Sequence, residues 1–326
     1  MKTTNKKTLW WSIAIKVVVF GILLFALYKQ VYLNENVHAI PEQFLSIGAG
    51  KAIGYGILLV ILMIMNWGFE AWKWKKVIDN ITPIKFIRAF KAVWTGVTLG
   101  LFTPNRVGEF GGRILYVPRK FRIKGAIVSL IGSFSQNLIT VIAGIAGLLW
   151  YVYAIEKIDL LVTGALALVA VIAVILLLLA YYNLDVMVNL FRKAKFLKRI
   201  YPYTTVLGDY SANDLSRLLL LAFLRYSVYA AQYLILLNVF GAELSVMTGL
   251  AAIAVIFLAQ TVVPSFAIAD LLTRLPVAAL ILSKCDVSLQ ISLAATTSIW
   301  ILNLIIPAIA GYIFIIRFNI FKNRQS

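Results

Sequence analysis

Thr103-Pro-Asn-Arg-Val-Gly-Glu-Phe-Gly-Gly-Arg113 places three ionisable side chains directly after an apolar run, Val93 to Phe102, that is too short to cross a bilayer. Ten residues of helix rise about 15 Å, half of a hydrocarbon core of about 30 Å. Basic residues stand on both sides of the run: Lys73, Lys75, Lys76, Lys85, Arg88 and Lys91 before it, then Arg113, Arg119, Lys120, Arg122 and Lys124 after it. A full crossing would carry one of these clusters outside, against the positive-inside tendency. The stretch therefore reads as a re-entrant hairpin that enters from the cytoplasm, turns over Thr103 to Gly112 and leaves through Ile114 to Pro118. A second stretch repeats the pattern. Val263-Pro-Ser-Phe-Ala-Ile-Ala-Asp-Leu-Leu-Thr-Arg274 again sets a proline after an apolar run, Val246 to Val263, and an acid four residues before an arginine. Its short return, Val277 to Leu282, mirrors the first hairpin from the opposite face.

The surrounding chain supplies a membrane context. Hydrophobic residues make up 62% of the 326 positions, more apolar surface than a soluble core would hide. Runs near the roughly twenty residues of a spanning helix lie at about Leu9 to Tyr32, Ile53 to Trp72, Gly125 to Tyr151, Leu160 to Tyr182, Leu215 to Phe240 and Leu289 to Ile316. The basic segment Met1 to Lys7 lacks a small-residue cleavage site, so the first run reads as a retained helix. Val37-His-Ala-Ile-Pro-Glu42 reads as a loop, and Ile84, Ile87 and Phe90 against Lys85, Arg88 and Lys91 as a short amphipathic helix on the inner leaflet. Trp72-Lys-Trp-Lys-Lys76 has the aromatic and basic character of a cytoplasmic interface, with Trp10, Trp11, Trp72 and Trp74 as anchors. Ser211 with Asp214 marks a helix start.

These segments predict an all-α polytopic membrane protein with six spanning helices and two re-entrant helical hairpins. Each half runs span, span, hairpin, span, with repeats 1–152 and 153–326. Three crossings per half is odd, so the second half is inverted, a construction typical of secondary transporters. Both termini are expected in the cytoplasm, the C-terminal one after Arg317-Phe-Asn-Ile-Phe-Lys-Asn-Arg324, which fits the inner membrane of a cell.

Composition narrows the chemistry. Lys and Arg number 31 against 13 Asp and Glu, and because the basic residues cluster beside membrane segments, anionic lipid headgroups are the expected partners and nucleic acid is not. One cysteine, Cys285, permits no internal disulfide, and one histidine, His38, supplies no imidazole-rich metal set, so no cofactor is expected. No Gly-x4-Gly-Lys-Ser/Thr loop is present, which leaves a gradient, the membrane potential or downhill scrambling as driving force.

A chain break at membrane depth persists only beside protein or a water-filled cavity. Pro104 and Pro264 stop or restart helices there, and Gly108, Gly111 and Gly112 permit close backbone approach. Helix ends at such breaks offer amides to a phosphate, and Arg106 and Arg113 add fork-shaped donors. Glu109 with Arg113, and Asp270 with Arg274, stand four apart, so each acid can face its arginine on a helix, either orienting it or releasing it to a competing phosphate. The contrasting reading is that these pairs only neutralise one another and fix hairpin packing. Candidate substrate contacts are thus Pro104, Arg106, Gly108, Glu109, Arg113, Pro264, Asp270 and Arg274, with Arg225 added because it sits mid-span. Gln136, Asn137, Gln232, Gln260 and Asn303 read as helix-to-helix hydrogen-bond partners, and Lys16 as a snorkelling side chain.

The first motif resembles the proline, glycine-glutamate and arginine motif of the flippase-like transmembrane region of lysylphosphatidylglycerol synthases, and the resemblance covers nearly the whole chain. The second motif departs from the family's more glycine-rich form ending in glutamate, with Phe266, Ala267 and Asp270 in its place. The resemblance implies a non-enzymatic flippase for an anionic or modified lipid, such as an aminoacylated phospholipid or a polyprenyl-phosphate-linked glycan. Bifunctional members carry a soluble aminoacyl transferase after the membrane region; none follows here before Ser326, so lipid aminoacylation is not expected. Two other classes stay open: a membrane-embedded transferase using Glu109 or Asp270 as base or metal ligand, and a non-transporting partner subunit of a lipid or glycan pathway.

Overall fold

A computed structural model describes residues 35–101, 106–184, 204–262 and 270–317, with isolated positions 21, 103 and 186. The expected first span, with Trp10, Trp11 and Lys16, lies outside the described residues, as do Pro104 and Pro264. All described secondary structure is helical. The principal helices are α1 Glu35–Leu45, α2 Ala49–Asp79, α3 Phe86–Gly100, α4 Gly108–Ile114, α5 Arg122–Ala154, α6 Leu160–Tyr182, α7 Ala212–Val239, α8 Val246–Val262, α9 Asp270–Ser283, α10 Leu289–Trp300 and α11 Ile306–Arg317. A five-residue π-helical stretch, Ile301–Ile305, joins α10 to α11.

Among the described residues, five helices are long and apolar enough to cross a membrane: α2, α5 with the short helical turn before it, α6, α7 and the continuous α10–α11 rod. They coincide with five of the six expected spans. In α6 none of the most apolar eighteen residues is buried, so that helix offers its surface to lipid. Its start is capped by Asp159, whose side chain accepts from the Leu161 amide, and α7 begins with the expected capping box of Ser211 and Asp214.

Three local expectations are corrected. Residues 37–42 are not a loop, because α1 runs through Pro41. An interior proline costs a helix about 3 kcal/mol, and here the turn is held by packing, with Phe44 edge-on against Phe240 at 6.3 Å. The amphipathic surface helix and the apolar run after it are one helix, α3, since no breaker separates them. Ala89, Ala92, Val93 and Val97 are wholly buried on its inner stripe while Ile87 is exposed, so the small residues and not Ile87 define the core face. Finally, Lys73 and Trp74 are not interfacial. α2 continues past Trp72 to Asp79 and buries both, with Trp74 Nε1 donating to Ser129 Oγ at 3.1 Å.

The first hairpin closes through glycine. α3 and α4 run antiparallel in such contact that a Cβ on Gly112 would lie 2.6 Å from Gly96 Cα, and one on Gly108 would lie 2.2 Å from the Leu99 carbonyl oxygen. Small residues that let backbones touch are the usual device of membrane helix pairs. α4 begins earlier than expected, at Gly108, because Thr103 Oγ1 accepts from the Gly108 amide at 2.7 Å. Gly112→Ala is therefore expected to destabilise the domain by about 1–3 kcal/mol through overpacking. Gly111→Ala, with nothing within 4 Å of the new methyl, is expected to be neutral or mildly stabilising. Thermal unfolding of the two variants in detergent checks the contrast.

α3 also docks on α11, with Thr98 Oγ1 donating to the Ala308 carbonyl at 2.7 Å. In the second hairpin, α8 and α9, it is α8 that packs along α5, where Gly144 and Gly147 admit Leu258 and Ala254. The expected return Val277 to Leu282 is longer than read: α9 spans 14 residues and includes Arg274 and Pro276.

Candidate functional site

Glu70 on α2 is the centre of the charge arrangement. Its Oε1 accepts from Arg113 Nη1 at 2.9 Å, and its Oε2 lies 2.7 Å from Lys73 Nζ and 3.1 Å from Arg225 Nη1. The side chains of Glu70, Lys73 and Arg113 are each less than a tenth exposed. One carboxylate thus serves three cations delivered by α2, α4 and α7. Arg113 turns its other nitrogen, Nη2, to Glu109 Oε2 at 3.0 Å, and Glu109 Oε1 meets Arg106 Nε at 2.6 Å. The expected pairing of Glu109 with Arg113 four residues on is present.

Arg225 is further fixed by Gln136, whose Oε1 accepts from it at 3.3 Å and from Lys73 at 3.0 Å, and by the Trp67 ring, 5.2 Å from its guanidinium carbon. Arg274 on α9 donates to Gln260 Oε1 on α8 at 2.8 Å. The Asp270 side chain lies outside the described residues.

These side chains enclose space. A cavity of about 230 Å³ is lined by Arg106, Arg225 and Arg274 together with Gln136, Gln260 and Tyr229. The same three arginines, with Trp67, Trp300 and Asn303, line an adjoining space of about 90 Å³. Both hairpins therefore contribute a cation to one chamber, and α7 contributes a third. Among the described residues, no carboxylate lines either space. Glu70 holds Arg225 and Glu109 holds Arg106 from outside the lining. The indole N–H groups of Trp67 and Trp300 and the Oδ1 of Asn66 are buried and find no hydrogen-bond partner among the described residues.

Several expectations need revision at this point. Arg113 does not line the chamber; it is buried between two carboxylates as a strut. Gly108 serves helix packing. The first amides of α4 are not offered to a phosphate, because Thr103 Oγ1 and the carbonyls of Arg106 and Val107 accept from Gly108, Glu109 and Phe110. Gln136 and Gln260 are more than interhelical partners, since each positions a lining arginine, and Asn137 is exposed. Gln232 and Asn303 do join helices as expected: Asn303 donates to Gln232 at 3.1 Å and accepts from Asn66 at 2.8 Å. That contact falls in the π-helical stretch, a distortion common at functional positions. Arg106 adopts a left-handed backbone, φ 56, a conformation that for a side chain other than Gly costs about 1–3 kcal/mol and concentrates at functional sites.

Sequence reading missed Glu70 and Lys73. The signal was present, a carboxylate inside an apolar run one turn before a basic cluster, with the lysine three residues on.

A model of the lysylphosphatidylglycerol synthase TM region matches residues 13–311. The chain belongs to that family. No curated protein and no solved structure matches it. This lysylphosphatidylglycerol synthase TM-region protein is thus a multi-pass membrane protein whose family points to a lipid-related role, and its charged chamber lies where both short helical hairpins come together.

Proposed function

We propose that this protein is a lipid flippase that moves an anionic or modified lipid between the leaflets of the inner membrane, and that it acts as a carrier and not as an enzyme. The observation that carries the reading is the convergence of Arg106, Arg225 and Arg274 on one chamber amid apolar helices. Buried cations are expensive in a membrane protein, and guanidinium groups held by carboxylates and amides match phosphate oxygens in fixed geometry. Glu109, engaged by two arginines, suits a counter-ion that yields an arginine to the incoming phosphate.

The order of elements supports an inverted repeat, 1–152 and 153–326. A long helix, a pair of short helices and a long helix occur as α2, α3–α4 and α5, and again as α7, α8–α9 and α10–α11. In this reading both helix pairs are re-entrant and both termini are cytoplasmic. The headgroup passes between the hairpins while the hydrocarbon tails stay in lipid. Partners are then the transported lipid and anionic headgroups at the basic cytoplasmic face.

In proteoliposomes, the protein is expected to speed translocation of fluorescent phosphatidylglycerol well above that in protein-free vesicles and to leave a zwitterionic phosphatidylcholine analogue near background. Equal rates for all lipids, or none above background, contradict the reading.

A further inference from the structure

Tyr226 belongs to two cavities. On one side it borders the arginine chamber; on the other it borders an almost wholly apolar cavity of about 590 Å³ between α5, α7 and α8. That second space falls within the range of about 300–1,000 Å³ usual for ligand pockets. Its α5 wall runs from Ala143 to Trp150, where the chamber touches Gln136 and Thr140, and its α8 wall runs from Met247 to Ala254, where the chamber touches Phe257 to Thr261. It therefore leads away from the arginines along the helices, towards the α5 C-terminus. Small residues such as Ala143, Gly147 and Ala231 leave the width for a hydrocarbon chain.

We infer that the two cavities form one lipid site, in which the phosphate sits among Arg106, Arg225 and Arg274 and a hydrocarbon chain of the same molecule lies between α5, α7 and α8. The ligand class is a lipid whose phosphate headgroup is net negative, with no compensating ammonium. This inference rests on the flippase reading and narrows its substrate. Among the described residues the cluster holds five cations, Lys73, Arg106, Arg113, Arg225 and Arg274, against two carboxylates, Glu70 and Glu109. The excess is three positive charges, and it stays at two if Asp270 is counted. The Oε1 atoms of Gln136 and Gln260 already accept from cations. A phosphate offsets the excess of positive charge, whereas an aminoacyl ammonium adds like charge to a partly buried cationic wall.

Equilibrium binding in detergent, which requires no leaflets, separates this claim from translocation. The probes are dioleoylphosphatidic acid, dioleoylphosphatidylglycerol, its lysyl ester, a polyprenyl phosphate and short-chain dihexanoylphosphatidic acid. The lysyl ester is expected to bind about tenfold more weakly than its parent phosphatidylglycerol. Ala231→Trp, which fills the apolar cavity, is expected to weaken dioleoylphosphatidic acid by about tenfold and dihexanoylphosphatidic acid by less than about twofold. Ala143→Trp fills the same space from the facing helix and serves where the first variant does not fold. Tighter binding of dioleoylphosphatidic acid or of the polyprenyl phosphate assigns the chain as acyl or prenyl, and either agrees with the inference. Lysyl ester binding as tight as the parent overturns it, as does an equal effect of the tryptophan on long and short chains. Those results with translocation intact overturn this inference alone; the expected binding without translocation overturns the flippase reading.

Discussion

Replacing Glu70 by glutamine is expected to destabilise the membrane domain by about 3–5 kcal/mol, the usual cost of removing one partner from a buried ion cluster. The amide keeps the shape of the side chain but leaves Lys73, Arg113 and Arg225 without their shared charge. By contrast, Glu156→Gln breaks the exposed contact with Lys284, where both side chains are more than a third exposed, and changes stability by less than about 1 kcal/mol. A second substitution sharpens the expectation. Lys73→Met in the Glu70→Gln background removes one of the stranded cations, so part of the loss returns. Thermal unfolding of the purified variants in detergent, with membrane abundance as a companion readout, checks all three. Full stability of Glu70→Gln removes Glu70 from the centre of the arrangement.

The second large effect concerns transport and not stability. Arg106→Gln/Arg274→Gln removes a lining cation from each hairpin and is expected to slow anionic lipid translocation by about a hundredfold, within the range for truncating desolvated charge partners. These two arginines are chosen because both line the chamber, whereas Arg113 is buried between Glu70 and Glu109. Arg106 is a third exposed, and its partner Glu109 keeps Arg113. A glutamine at 274 can still bond Gln260 across the α8–α9 hairpin. Each single variant is expected to lose less than the pair, since one phosphate is shared between both sites.

Element lengths explain why so much of the fold was readable. A run of about twenty apolar residues has few alternatives in a chain of this composition, so α2, α5, α6, α7 and the α10–α11 rod follow from hydropathy. The first hairpin was legible because Val93 to Phe102 is too short to span and is flanked by positive charge on both sides. Local sequence did not reveal contacts between distant elements. Glu70 looks like one acid before the basic run Lys73, Lys75 and Lys76, and only packing against α4 and α7 makes it the shared counter-ion. Trp74 carries the chemistry of an interfacial anchor, yet α2 extends far enough to bury it beside Ser129. Pro41 and Pro276 both lie within helices, so proline alone was a poor guide to helix ends where tertiary contacts hold the turn. Arg113 and Arg106 stand in one motif with one side-chain type, but the first is a strut and the second a wall. Burial, 8% against 33% side-chain exposure, separates them.

The most direct test of the central claim, that a lipid phosphate passes the chamber shared by the two hairpins, is translocation of fluorescent phosphatidylglycerol in proteoliposomes carrying equal amounts of wild type, Arg106→Gln/Arg274→Gln or Gly111→Ala. The account predicts wild-type rates for Gly111→Ala and a rate near that of protein-free vesicles for the double variant, with both proteins folded. A double variant that moves the lipid as fast as wild type contradicts it.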